Sequence, residues 1–406
     1  MDAADLSPVP IAARRLSGRD LFLVFAAANI VATTLQVGAS LGPGLPPGRM
    51  LMVVALGATI GAAIVAALAP VGVRLGVPSM VAARDPLGHA GARLVAGVLF
   101  ATNFAWIALN NVIAASVAAR LLPLGLDERA WALVAGVVST AVVAGGPLAV
   151  RAADRLAVPL MAAAGLAVTW TVLGLPPAVP AAGVGAPVPV AGLLDVVVGY
   201  QVSWLLMFAD YSRFTRHAGT SARAVFLGLA LTAVWLMPVG WRLAQHAGSA
   251  DPGAMLAAAD AGAAAAVLLV LATITTNFVN ICLSSLAWRS IMPAVPAGAA
   301  VWVVGLVGTA LGFTGGWLDR FAGFMTIIGS LLVPVGGVFI AHFAIRRRPV
   351  DVGALYDPRG PRAGIRWAGV CSVAAGVAVY HLLPAGATIP SLVTSLGAYL
   401  VLDRRA

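Results

Sequence analysis

Gln36-Val-Gly-Ala-Ser-Leu-Gly42 places two glycines and two polar side chains inside the first of twelve long apolar stretches. A helix at membrane depth satisfies its own backbone groups, so such an interruption marks a point where the helix opens or where a neighbour packs closely. The sixth apolar stretch carries a matching one, Gly199-Tyr-Gln-Val-Ser-Trp204. Stretches one and six are corresponding members of two five-helix halves, the arrangement of inverted-repeat transporters with a site at the bilayer midplane. This reading predicts local unwinding at 36-42 and at 199-204. The alternative use of the same glycines is close helix contact.

The rest of the chain supports a polytopic membrane protein. Of its 406 residues 61% are hydrophobic and only 10% charged, and the mean hydropathy is +0.97. A bilayer core takes roughly 20 apolar residues per helix. The spans are expected near 20-42, 49-70, 93-119, 130-148, 155-174, 192-211, 223-244, 262-287, 297-314, 320-343, 366-383 and 387-402.

All 25 basic residues are arginine, and they alternate in density from one loop to the next. The N-terminal tail, the even-numbered loops and the C-terminus hold most of them, including Arg84, Arg213, Arg289 and the run Arg346-Arg347-Arg348. The other face keeps Arg49, Arg120, Arg129, Arg242 and Arg320. By the positive-inside rule both termini are expected in the cytoplasm, in a cell inner (plasma) membrane. The net charge of +10 is distributed over short loops rather than gathered into a stripe, so lipid rather than nucleic acid is the expected partner, and no obligate protein partner is indicated. Cys282 and Cys371 fall inside apolar spans and are expected to pack there.

The organisation that follows is a cytoplasmic tail at 1-19, a first five-helix repeat at 20-174, an extracellular linker rich in Pro and Val at 175-191, a second repeat at 192-343, a cytoplasmic loop at 344-365, and two additional helices with a short tail at 366-406. Among the acidic residues only Asp195 and Asp210 fall inside an expected span beyond its first residue, both near its ends. Charge at the bilayer centre marks proton relays and charged ligands. Its absence points to a neutral substrate.

Polar residues at mid-depth are then the candidates for the site. Trp106 and Asn110 are four apart on the third span and share a face. An indole stacks on a planar ring while a carboxamide donates and accepts, which suits a flat, neutral heterocycle. An asparagine that bridges two helices accounts for the same pair. The eighth span carries the densest polar cluster, Ala272-Thr-Ile-Thr-Thr-Asn-Phe-Val-Asn280. Hydroxyls and carbonyls are the ligands of a hard cation, and Thr275, Thr276 and the Ala272 carbonyl lie within one turn, with Asn277 and Asn280 available to a substrate. Threonines that bond back to a preceding carbonyl are the alternative. The five histidines are expected at or near span ends, without a pair or cluster suited to metal, and no cofactor is indicated beyond Na+ or H+ as coupling ion.

Three stretches resemble the nucleobase:cation symporter-1 family, which includes cytosine permeases, hydroxymethylpyrimidine transporters and the hydantoin transporter. They are Gly76-Val-Pro-Ser-Met-Val-Ala-Ala-Arg-Asp-Pro-Leu-Gly88 between spans two and three, Asp210-Tyr-Ser-Arg-Phe214 closing span six, and Thr275-Thr-Asn-Phe-Val-Asn280 in span eight. Ile389-Pro-Ser-Leu392 near the end is also similar. The resemblance implies a leucine-transporter-type fold, two inverted five-helix repeats plus two helices, and cation-coupled uptake of a nucleobase-like ring. It places Trp106 at a ring-stacking position and Asn110 at an amide position. Counting back from Asp210, it puts Gln201 where the hydantoin transporter has a second stacking aromatic, with Trp204 as the substitute. Thr276 falls at a sodium ligand, while Asn280 is one residue out of register with a substrate asparagine.

The expectation is a secondary symporter importing a neutral planar nitrogen heterocycle, a pyrimidine such as cytosine first, by alternating access. Trp106, Asn110, Gln201, Trp204, Asn277, Asn280 and Gln36 are the candidates for the substrate. Gly38, Ala39, Ala272, Thr275 and Thr276 are those for the cation, and Asp210 with Arg213 form a structural gate at the end of span six. Carriers of hydroxymethylpyrimidine or another thiamine precursor, of purines or allantoin, and of amino acids are the alternatives, with a passive channel beyond them. An intramembrane enzyme needs a reactive constellation, and the chain has no lysine and a single glutamate, Glu128.

Overall fold

A computed structural model describes residues 6–42, 44–176, 189–292 and 294–403. Most of the expected linker, residues 177–188, lies outside the described residues. Twelve helical segments follow one another where hydropathy places them, and among the described residues the one β pairing is a single bridge between Leu16 and Thr215. Spans two to five are Pro47–Leu75, Arg84–Leu121, Glu128–Ala144 and Gly146–Leu173. Span six begins at Val190–Val202, and spans seven to ten are Ala218–Ala247, Gly262–Ile291, Ala297–Gly312 and Phe321–Phe339. Spans eleven and twelve are Trp367–Leu382 and Thr388–Leu402. Local chemistry sets several ends. Span two starts on Pro47 and stops at Gly76, whose φ of 69° lies in the left-handed region, and span one starts with a capping box between Ser17 and Asp20.

Span one is broken, but not where the sequence reading puts the break. It runs as Gly18–Asn29 and Ala32–Ser40, bent by 57° at Ile30 and Val31. Gln36 to Ser40 is helix. The β-branched pair takes extended backbone at Val31, and Thr34 Oγ1 donates to the freed Asn29 carbonyl at 2.5 Å. Gly38 serves close contact instead: a Cβ on it would overlap the Met237 carbonyl of span seven, and one on Gly240 would overlap the Leu35 carbonyl in return. The second interruption does coincide with a change of helix type. Span six is α-helical to Val202 and continues as a 3-10 segment, Ser203–Met207, with Gly199 set against the Met325 carbonyl of span ten.

Span three begins earlier than expected, at Arg84, and turns at Gly88, where φ is 76°. Asp85 is thereby drawn out of the loop and buried. His342 Nε2 meets its Oδ2 at 2.5 Å, Arg362 reaches its Oδ1 at 2.7 Å, and His342 Nδ1 meets the Tyr399 hydroxyl at 2.8 Å. His342 thus enters a hydrogen-bonded pair with a carboxylate, a different matter from a cluster suited to metal. Its partner comes from a distant stretch of chain.

Span twelve is held at both ends. At its C-terminal end, Arg366 pairs with Asp403 at 3.1 Å and Tyr399 joins the His342 pair. At the other end Asp195 of span six, buried, accepts from the backbone N–H groups of Gly386, Ala387 and Thr388 and from the Thr388 hydroxyl, at 2.7 to 3.1 Å. A carboxylate there satisfies the first donors of the helix and complements its dipole. Asp195→Ala is expected to lower stability by about 1–3 kcal/mol, seen as a lower midpoint of thermal unfolding in detergent, because several buried donors lose their acceptor.

Candidate functional site

The two broken helices meet. Tyr200, in the span-six interruption, brings its hydroxyl to Thr34 Oγ1 at 2.6 Å and Thr33 Oγ1 at 3.3 Å, both just beyond the break in span one. Asn29, just before that break, donates to Gln201 Oε1 at 3.5 Å, to Thr232 Oγ1 at 2.9 Å and to the Leu229 carbonyl at 3.1 Å. Gln201 Nε2 donates to the same carbonyl at 3.0 Å. The Gln201 carboxamide is thus committed to joining spans one, six and seven. The residue of span six that reaches the third span is Tyr200.

Trp106 forms the other wall. Its indole is nearly buried and lies edge-on to Tyr200, ring centroids 6.0 Å apart, and to Phe324 of span ten at 5.3 Å. Spans three, six and ten so enclose an aromatic corner. Trp204, the substitute named from sequence, sits in the 3-10 segment, and the ring it was to supply beside Trp106 is Tyr200. Neither Tyr200 nor Phe324 carries a signal that separates it from an ordinary core aromatic. For Tyr200 a shift of one residue from Gln201 within the same interruption was the available clue.

Four asparagines run from this corner across spans three and eight. Asn110 Nδ2 donates to Asn277 Oδ1 at 3.0 Å, Asn277 Nδ2 donates to Asn111 Oδ1 at 2.9 Å, and Asn280 Nδ2 reaches Asn277 Oδ1 at 3.4 Å. Asn111 Nδ2 continues to Thr309 Oγ1 of span nine at 3.2 Å. Asn277 is therefore a bridge between helices, with both ends of its carboxamide engaged. Asn110 keeps a buried carbonyl oxygen without a partner, one turn from Trp106.

The candidate cation ligands divide. Thr275 and Thr276 both donate to the Ala272 carbonyl, at 2.8 and 3.0 Å, so three oxygens are gathered on one turn of span eight. Ala272 packs with Ala27 and Val31, which flank the break in span one. Gly38 and Ala39 lie further along, and their carbonyls accept from Leu41 and Gly42 in the closing turn of that helix. The part of span one that packs beside Ala272 is the break, at Val31, with Gly38 and Ala39 about two turns further along the helix. The physical reason is the shift of the unwound segment from 36-42 to Ile30 and Val31.

Asp210 and Arg213 end up away from the aromatic corner. Asp210 Oδ2 accepts from Ser79 Oγ at 2.5 Å, and Ser79 Oγ accepts in turn from the Ala209 N–H. Arg213 is buried, donates to the Asp210 and Ser7 carbonyls and lies over the Phe214 ring. They tie the end of span six to the segment before span three and to the N-terminal strap. On the face opposite the N-terminus a cavity of about 630 Å³ opens among Ser40, Val112, Ala115, Trp317 and Ala322.

The family described as permease for cytosine/purines, uracil, thiamine, allantoin matches residues 8–401. A cytosine permease of Escherichia coli (strain K12) is 26% identical over 400 residues, 98% of this chain and 93% of that protein. Among solved structures, Mhp1, a nucleobase-cation-symport-1 family transporter, superimposes with a TM-score of 0.83 in a closed conformation with bromovinylhydantoin bound, at 19% identity over 98% of this chain and 94% of that one. Its inward-facing conformation gives 0.86, at 19% identity over 98% and 92%. The shared architecture is the leucine-transporter type, two inverted five-helix repeats followed by two helices.

Proposed function

The chain belongs to the family of permeases for cytosine/purines, uracil, thiamine and allantoin, a membrane transporter and not an enzyme, and from that premise we propose that it imports a neutral pyrimidine such as cytosine together with Na+ or H+. The observation that carries the reading is the meeting of two helix breaks at Tyr200, beside Trp106 and the unpartnered Asn110 carbonyl. Base stacking on an aromatic face suits any flat ring, and an amide edge selects among rings by hydrogen bonds. The relatives named as cytosine permeases favour cytosine within that group.

Trp106 stacks on the ring, Tyr200 and Phe324 close the corner around it, and Asn110 accepts from a ring N–H. The cation sits between the break in span one and the Ala272, Thr275 and Thr276 oxygens. The cation meets the broken segment directly and the substrate meets it through Tyr200, whose hydroxyl is bonded to Thr33 and Thr34, so either one lowers the cost of ordering that segment for the other. Alternating access moves these helices against the rest of the bundle around the midplane site. The orientation proposed is that of the arginine count, both termini in the cytoplasm of a plasma membrane.

The test is uptake of radiolabelled cytosine into proteoliposomes under an inward Na+ gradient, an inward H+ gradient or neither, competed by uracil, hydroxymethylpyrimidine, hypoxanthine and allantoin. Gradient-dependent accumulation blocked by one competitor supports the reading and names the preferred ring; equilibration without accumulation means a channel, and no uptake of any of these rings rejects the substrate class. Thr276→Val replaces a hydroxyl by a methyl of equal size. It is expected to raise the Na+ concentration for half-maximal uptake about tenfold or more, the worth of one buried polar contact, with little change at saturating Na+.

A further inference from the structure

Gln36 is fully buried, and neither its Nε2 nor its Oε1 has a hydrogen-bond partner. A carboxamide left so is costly, by an amount comparable with the hydrogen bonds it forgoes. Its direction follows from the helix that carries it. Leu35 and Gly38 press their backbone against Gly240 and Met237, so that side of Ala32–Ser40 belongs to span seven. Thr33, Gln36 and Ser40, spaced by three and four, form a stripe away from it. Thr33 reaches the Tyr200 hydroxyl at 3.3 Å, and Ser40 lines the 630 Å³ cavity. Gln36 lies between them, on the line from the cavity to the aromatic corner.

We infer that Gln36 reads the edge of the bound ring through a pair of hydrogen bonds, Nε2–H donating to a ring acceptor and Oε1 accepting from an adjacent N–H. The substrate class is thereby narrowed to heterocycles with donor and acceptor on neighbouring atoms, a lactam or an amidine edge. Turning the carboxamide by half a rotation exchanges its two ends, so both kinds of edge fit. With Asn110 accepting a further N–H, a pyrimidine that carries two N–H groups and an acceptor, such as an aminopyrimidinone, satisfies all three orphaned atoms, whereas an unsubstituted pyrimidine has no N–H to offer. This inference rests on the nucleobase reading of the Trp106 site.

Equilibrium binding of cytosine and of unsubstituted pyrimidine to the full chain in nanodiscs tests it, with wild type beside Gln36→Met. The variant keeps volume and removes both polar atoms. Affinity for cytosine is expected to fall about 10- to 100-fold, and the preference for cytosine over pyrimidine to collapse. The thermal midpoint should stay level or rise, because removing an unpartnered buried amide breaks no bond within the protein. Unchanged preference in Gln36→Met overturns the inference alone and leaves the nucleobase reading standing. Loss of cytosine affinity together with a large drop in the midpoint also overturns it, since Gln36 would then be holding the fold. If the wild type binds no heterocycle, both the inference and the reading beneath it fall.

Discussion

Trp106→Ala is expected to abolish saturable uptake at micromolar substrate while folded protein still reaches the membrane. Stacking of one base on an aromatic side chain contributes about 1–3 kcal/mol, or roughly 5- to 150-fold in affinity. At Trp106 that contribution has no substitute. Tyr200 and Phe324 meet the indole edge-on, at interplanar angles of 68° and 64°, so neither ring lies parallel to take over its face. Truncation of a buried tryptophan also leaves a cavity, with a cost of about 3–5 kcal/mol in a well-packed core. The measurement therefore normalises uptake to monodisperse protein recovered by size-exclusion chromatography and adds Trp106→Phe, which retains a stacking face. Recovery of part of the affinity in Trp106→Phe supports stacking. A Trp106→Ala protein that binds cytosine within threefold of wild type would remove Trp106 from the site.

Asp85→Ala is expected to have the largest effect on stability, about 3–5 kcal/mol, because it removes one partner of a buried charge pair. His342 would lose the carboxylate at 2.5 Å and Arg362 the one at 2.7 Å, while both stay packed where they are. The midpoint of thermal unfolding should drop, and much of the expressed protein should be lost to aggregation. The double variant Asp85→Leu with His342→Leu separates charge from packing. Replacing a buried pair by apolar side chains is often close to neutral, so the double variant should be more stable than Asp85→Ala despite carrying one more change. Equal stability of the single variant and wild type would mean that the pair does not anchor the end of span ten to span three.

Both expectations depend on contacts between distant segments, and that is where the sequence was least legible. Trp106 with Asn110, and Thr275 with Thr276, stand out because each pair is local and helical spacing alone puts its members together. Tyr200 does not stand out from Gln201. Their exchange of roles depends on which side of span six faces span three, and a helix whose residues 193 and 195–202 are all buried offers no polar face by which to decide. Asn277 illustrates the same limit: in sequence it is one more polar residue of a cluster, and only the arrival of Asn110 and Asn111 from span three makes it a bridge. The glycine of the first interruption was legible as a special position but not as to its purpose, since Gly38 answers to the Met237 carbonyl nearly 200 residues away in the chain.

By itself the sequence determined the membrane class, the number of spans and their ends to within a few residues apart from the early starts of spans three and five. It did so because burial in lipid is read from hydropathy over a window of one helix, which is a local property. It also marked spans one and six as the irregular ones. The tertiary structure decided where span one breaks, which aromatic faces Trp106, which amides are engaged and which remain open, and that Asp85 and His342 form a pair. Each of these depends on the rotation and depth of one helix against another. Those quantities are set by the packing of all neighbours at once, and no window along a single segment contains them.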